Sequence, residues 1–203
     1  MVVPSYDCSE WFSRLHVLII GPGLGRDPSA ISKVARIIEK SRLPMVLDAD
    51  GIFVLEKNPH ILKGKENVIL TPNLPEFKRL CELASLSADS KAEELSKALS
   101  CTVLLKGEED SISNSEVSLK CAQTGSPRRC GGQGDVLCGL TGLFLYWALK
   151  KNLDQPTVAA SWAASYYLKK ASKIAFEKKS YGMSAQTIIE ELPLLIKQNI
   201  PEE

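Results

Sequence analysis

Short runs of Val, Ile and Leu alternate along this 203-residue chain with longer segments in which apolar side chains return every three to four positions. A strand buried on both faces reads as a continuous apolar run, and a helix that covers it shows a 3.6-residue period. Their regular succession predicts βαβ units around a mostly parallel sheet, an α/β fold. Residues 16–20 read as a first buried strand, and 45–47, 68–70 and 102–105 as three more. Asp27 can cap, and Pro28 open, a helix whose apolar face is Ile31, Val34, Ala35 and Ile38. A later helix buries Phe77, Leu80 and Leu83 or Ala84, and another covers about 90–99. Ser111-Ile112-Ser113 and Val117-Ser118-Leu119 flank Asn114-Ser115-Glu116 as a hairpin at a sheet edge. Helices over 135–150, 156–179 and 184–197 complete the chain, and four parallel strands are few for such a sheet.

Ligands of open α/β sheets collect beyond the carboxyl ends of the strands, so the loops there carry the functional information. Gly21-Pro22-Gly23-Leu24-Gly25 follows the first strand. Its glycines let backbone amides approach a ligand, but the spacing is not that of a dinucleotide fingerprint, and taken by itself the loop reads rather as a plain tight turn before the Asp27 cap. Asp48 and Asp50 could hold Mg²⁺ through water; Asp50 could equally cap the short helix carrying Phe53 and Leu55, and cap preference favours that reading. Asn73 and Glu76 have the spacing of a capping box, which does not prevent them from binding hydroxyls or metal-bound water. Lys106-Gly107 and Asp110 offer a cation and a turn beside a phosphate, or Lys106 is simply solvated.

Arg128-Arg129-Cys130-Gly131-Gly132-Gln133-Gly134-Asp135, ahead of the apolar run 136–147, is the most chemical of these loops. Glycines before a helix expose a nest of N–H groups at the positive end of its dipole, which suits a phosphate. Asp135 falls on the first turn, where a carboxylate can accept a hydroxyl proton during phosphoryl transfer. A glycine-rich turn with an acidic helix start gives the same pattern without chemistry.

Composition narrows the partners. Lys plus Arg is 25 and Asp plus Glu is 24, so no overall field draws in nucleic acid or a membrane, and an anion must be caught locally. Six cysteines without a C-x-x-C pair and two histidines, His16 and His60, argue against a zinc site or a disulfide framework and for a reducing compartment. No stretch approaches the roughly 20 apolar residues of a membrane span, and the first residues lack a signal peptide's design. The chain reads as cytoplasmic, with a mitochondrial form if a targeting segment lies upstream. Trp147, Trp162, Tyr166 and Tyr167 read as core or interface, His16 as structural, and Lys169, Lys170, Lys173, Lys178 and Lys179 as a solvated helix face.

In content and in order, Gly21-Pro22-Gly23-Leu24-Gly25-Arg26-Asp27, Asp48-Ala49-Asp50-Gly51, Thr71-Pro72-Asn73 with Glu76-Phe77, Lys106-Gly107 with Asp110, and residues 128–135 closely resemble the ATP-dependent NAD(P)H-hydrate dehydratase family. The resemblance runs from about Arg14 to the end. It implies a ribokinase-like three-layer α/β/α sandwich with a mostly parallel sheet. It also implies an enzyme, a hydro-lyase that uses ATP to drive water from the (6S) hydrate of NADH or NADPH, returning the reduced cofactor with ADP and phosphate. On the same resemblance Gly23, Asn73-Leu74-Pro75-Glu76-Phe77-Lys78-Arg79 and Asp135 face the hydrated dinucleotide. Lys106-Gly107-Glu108-Glu109-Asp110 and Gly125-Ser126-Pro127-Arg128-Arg129-Cys130-Gly131-Gly132-Gln133-Gly134 face ATP. Asp135 is the base, Mg²⁺ offsets triphosphate charge with Glu76 reaching it through water, and Cys130 is a small packing residue.

The family's domain begins well before the segment matching Arg14. The resemblance therefore implies that residues 1–203 form one partial, N-terminally truncated domain, whose open sheet edge a homo-oligomer would cover. Its partners are small molecules, ATP and hydrated NADH or NADPH. Two other functions share these motifs: a ribokinase-like kinase for a small-molecule alcohol, which stops at the phosphate ester, and a non-catalytic nucleotide-binding form.

Overall fold

The computed structural model describes residues 9–199. After a 3-10 turn at Ser9–Arg14 come strand β1 (Leu18–Ile20), helix α1 (Pro28–Lys40), β2 (Met45–Leu47), α2 (Asp50–Lys57) and β3 (Val68–Leu70). Then follow α3 (Leu74–Leu83), α4 (Ala92–Leu99), β4 (Thr102–Leu105), β5 (Asp110–Ser113) and β6 (Ser118–Cys121). Three long helices close the chain: α5 (Gln133–Lys150), α6 (Pro156–Lys179) and α7 (Ala185–Asn199). The six strands lie in sequence order in one sheet, β1 to β4 parallel and β5 and β6 antiparallel. The alternation of the sequence is thus the alternation of the fold. No helix among the described residues is long and apolar enough to cross a membrane.

The pleat divides each apolar run between two cores. Met45, Leu47, Val68, Leu70 and Val103 point toward α1 to α4, where Ile31, Val34, Ile38, Phe77, Leu80 and Leu95 meet them. Val46, Ile69, Leu104 and Ile112 point the other way, onto α5, α6 and α7. Every one of these strand residues is buried, and each fully buried aliphatic contributes about 1.5–3 kcal/mol. The result is the three-layer α/β/α sandwich that the family resemblance implies.

Three expectations change. The first strand is neither five residues long nor buried: it covers Leu18–Ile20, and Ile19 is 45% exposed. The reason is its place at the sheet edge, where β2 is its one partner among the described residues. His16 precedes it on the surface and has a partner, its ring lying 4.6 Å from that of Tyr146. At the opposite edge β6 begins at Ser118, because Oδ1 of Asn114 accepts from the amides of Glu116 and Val117 and draws Val117 into the turn.

One contact positions the loops that follow β1 and β2. Gly21 has φ +127°, and a Cβ there would lie 1.7 Å from the Asp48 carbonyl oxygen; a Cβ on Gly51 would lie 2.4 Å from the carbonyl oxygen of Ile20. The two backbones touch because neither carries a side chain, and Ala49 takes a positive φ of 46° to make the corner. Gly21→Ala is expected to cost about 3 kcal/mol or more in urea unfolding, since both neighbours are backbone. Gly23→Ala, with φ +66° but open space around it, should cost about 1 kcal/mol.

Candidate active site

Four loops meet at the carboxyl ends of the parallel strands. Backbone bonds carry the ladder past the strands: Asp48 N donates to Ile20 O at 3.0 Å, Thr71 N to Leu47 O at 3.1 Å and Lys106 N to Pro72 O at 2.9 Å. Asp48, Asn73 and Lys106 are thereby set side by side. Asp48 and Lys106 form an ion pair of 2.8 Å whose side chains are 3% and 23% exposed. Lys106 is therefore not simply solvated. Asp50 does not cap α2 through its side chain; the cap is Ala49. Its carboxylate instead holds the first loop, accepting from Gly25 N at 3.0 Å and from Arg26 Nε at 2.9 Å. Arg26 lies over Phe53, 4.4 Å from the ring centre.

The capping box of α3 is present. Oδ1 of Asn73 accepts from Glu76 N at 2.9 Å, and Oε2 of Glu76 accepts from Asn73 N at 2.8 Å. Leu74, Pro75 and Lys78 are exposed beside it, and Arg79 pairs with Glu56 at 2.8 Å. Phe77 is 1% exposed, so its side chain anchors the helix in the core and faces no ligand.

The glycine loop delivers α5 to the same place. Gly132, at φ +81°, is the N-cap of this 18-residue helix. The Gly134 and Asp135 amides belong to the first turn and have no intrahelical acceptor. Asp135 is exposed, and among the described residues its carboxylate takes part in no hydrogen bond or ion pair. A Cβ on Gly134 would stand 3.8 Å from Oδ2 of Asp48 and 3.9 Å from Nζ of Lys106, so the ion pair lies directly under this turn. One turn further on, the buried thiol of Cys138 is pushed up to about 12, first by burial and then by Asp48 and Asp135, with Lys106 opposing. The Asp48–Lys106 pair and the first turn of α5, which carries Asp135, thus lie together.

Beside the nest lies a cleft of about 700 Å³ between the turn after β4, the segment 122–129 and helix α6. Gly107, Glu108, Glu109, Gly125, Ser126, Pro127, Arg129 and Gln133 line it; Lys106, Asp110, Arg128, Cys130, Gly131, Gly132 and Gly134 do not. Asp110 is occupied elsewhere. It is buried, pairs with Lys169 at 3.3 Å, and accepts from Gly107 N at 2.8 Å and Ser165 Oγ at 2.6 Å. The Lys169 ammonium also donates to the carbonyls of Gly107 and Glu108. Arg128 tethers the loop to the carbonyls of Tyr181 and Met183, leaving Arg129 as the arginine of the cleft.

The lysines of α6 correct the solvated-face reading. Lys169 is buried at 8% and Lys173 lines the cleft with Phe176 and Glu177. Helical spacing of lysines hid them; the available signal was Asp110, a buried acid that required a cation. Among the described residues no group of three or more His, Cys, Asp or Glu side chains is placed to hold a metal ion, and the five described cysteines are free thiols.

Comparison with solved structures places this sandwich in a class. A ribokinase-like superfamily protein of Enterococcus faecalis superimposes with a TM-score of 0.78 at 23% identity, over 93% of this chain and 65% of that one. The fold is ribokinase-like. Its sequence is more specific: the profile of NAD(P)H-hydrate dehydratase matches residues 3–194, and the chain belongs to that family. The ATP-dependent (S)-NAD(P)H-hydrate dehydratases of Entamoeba histolytica and Mus musculus are 37% and 41% identical to it, over 95% and 89% of this chain. The chain spans 67% and 57% of the length of these two relatives.

Two measurements check this architecture. Lys169→Met orphans the buried Asp110 carboxylate and is expected to cost about 3–5 kcal/mol in denaturant unfolding, most of it recovered by adding Asp110→Asn. Burial raises the Cys101 and Cys138 thiols to about 12. At pH 8 both should resist iodoacetamide until the chain unfolds, whereas the half-buried Cys130 should react in the folded protein, as peptide mass mapping would reveal.

Proposed function

We propose that this chain carries out ATP-driven dehydration of the (6S) hydrate of NADH or NADPH, giving the reduced cofactor, ADP and phosphate. The observation that carries the reading is Asp135: an exposed carboxylate, unpaired among the described residues, on a glycine-built first turn whose Gly134 lies over the part-buried Lys106–Asp48 pair. Family membership supplies the substrate class. The proton of the ring hydroxyl passes to Asp135, and the freed oxygen attacks the γ-phosphorus as the bond to the β-phosphate bridging oxygen breaks, releasing ADP. The electron pair of the ring nitrogen then expels phosphate, and loss of the adjacent C–H proton restores the double bond. Phosphate leaves where hydroxide would not.

The first-turn amides and Lys106 suit the charge that moves during transfer. The 700 Å³ cleft is large enough for a nucleotide, and Gly107 to Glu109 with residues 125–129 are its proposed walls. Gly23, Asn73 and the exposed side of α3 are proposed to meet the dinucleotide. Glu76 spends Oε2 on its capping box, and Oε1, which accepts no hydrogen bond among the described residues, fits a water-mediated contact to Mg²⁺. Bound with the triphosphate, that ion would supply charge neutralisation.

The reading is tested by adding ATP and Mg²⁺ to chemically hydrated NADH and following near-ultraviolet absorbance while counting free phosphate. Recovery with equal phosphate release is the expected result; a stable phosphate ester with ADP would make the chain a kinase, and ATP binding without turnover a binding form. Asp135→Asn should reduce turnover by about 10³-fold or more while ATP affinity stays within about threefold. Normal turnover by that variant would remove Asp135 as the base.

A further inference from the structure

Asp48 is a buried acid that the proposed chemistry does not use. It stands at the end of β2, 2% exposed, and its Oδ1 accepts from Nζ of Lys106 at 2.8 Å. A carboxylate in such a place is destabilising unless it is paired. Its location is set from three sides. The Gly21–Gly51 contact brings the backbone of the first loop against the Asp48 carbonyl, the ladder bond from Asp48 N to Ile20 O anchors its amide, and Gly134 of α5 lies over the pair, where a Cβ would stand in ordinary van der Waals contact with both charges.

Lys106 depends on this acid. Among the described residues Asp48 is the partner of its ammonium, which uses one of three N–H donors. The other two remain for a ligand. A lysine held by a rigid, buried carboxylate has already lost the rotamer freedom that an unheld lysine would lose on meeting a phosphate. The ammonium sits under the turn whose amides suit the phosphoryl group, not in the wall of the neighbouring cleft.

Resting on the dehydratase reading, we infer that Asp48 is a positioning residue: it touches neither nucleotide nor hydrate, and acts by holding Lys106 beneath Gly134, where the terminal phosphoryl group of ATP would be received. The pair then works as one unit, and its contribution is specific to the γ-phosphate.

The test is equilibrium binding of ATP and of ADP, each with Mg²⁺, to the full chain and to Asp48→Asn, Lys106→Met and the double variant, with thermal unfolding of each. The wild-type chain should bind ATP more tightly than ADP. Asp48→Asn should narrow that preference by about fivefold or more, Lys106→Met should narrow it comparably, and the double variant should be no worse than Lys106→Met alone. An unchanged preference in folded Asp48→Asn overturns the assignment. A widened one does the same, since it would mean that Asp48 acts only as a charge repelling the extra phosphate. Additive losses, or a wild-type chain indifferent between ATP and ADP, also overturn it. If a single variant fails to fold, Asp48→Glu carries the test: the displaced carboxylate should narrow the preference in a folded chain, and an undiminished preference counts against the assignment. Because binding is the readout, a chain that shows this pattern yet never restores NADH loses the dehydratase reading and keeps the role of Asp48.

Discussion

Leu47 pairs with Ile20 on one side and Leu70 on the other, and Leu70 pairs with Val103, so that β1 to β4 run in parallel register to a common end. Because all four strands point the same way, the segments leaving them emerge at one edge of the sheet, and each brings its polar residues to a shared surface. Backbone bonds from Asp48, Thr71 and Lys106, the residues that follow β2, β3 and β4, prolong the ladder. Asp48 and Lys106, 58 residues apart in sequence, meet because of that geometry. An antiparallel arrangement would have sent alternate loops to opposite ends.

Two ion pairs, each with a buried acid, divide the work of this surface. Asp48–Lys106 lies under the first turn of α5, and Asp110–Lys169 lies under the turn after β4. Both are sealed enough that breaking either would leave a costly unpaired charge, so both hold backbone in place. They differ in what remains open. Lys169 spends its ammonium on Asp110 and on two carbonyls, whereas Lys106 is held by Asp48 with donors to spare. The first pair is suited to shaping a wall, the second to presenting a cation.

The βαβ succession, the Asn73–Glu76 capping box and most helix limits were legible in the sequence, since they rest on local periodicity and cap chemistry. Asp27 caps α1 through the Ser29 and Ala30 amides, and Pro28 opens it. Less legible were features that depend on who stands next to whom. The 16–20 run is apolar enough for a central strand, yet it forms an edge strand of three residues. Asp50 has an N-cap composition and instead accepts from Gly25 and Arg26. Lys169 has the spacing of a surface lysine and is buried against an acid from another layer.

Of the site, the amino-acid sequence alone determined the parts that are contiguous: the glycine loop with Asp135 on the first turn of a helix, the Asn73–Glu76 box and the order of motifs that marks the family. Such parts are written in neighbouring residues, whose backbone preferences need little help from elsewhere. Which charges are spent and which are left open was decided by the tertiary structure. Arg128 is a tether while Arg129 lines the cleft, and Asp110 is consumed by Lys169 and Ser165. Asp135 alone of the three acids Asp48, Asp110 and Asp135 stays without a partner among the described residues. Burial and pairing are properties of three layers packed together, and a carboxylate's neighbours across those layers are not encoded in the residues beside it.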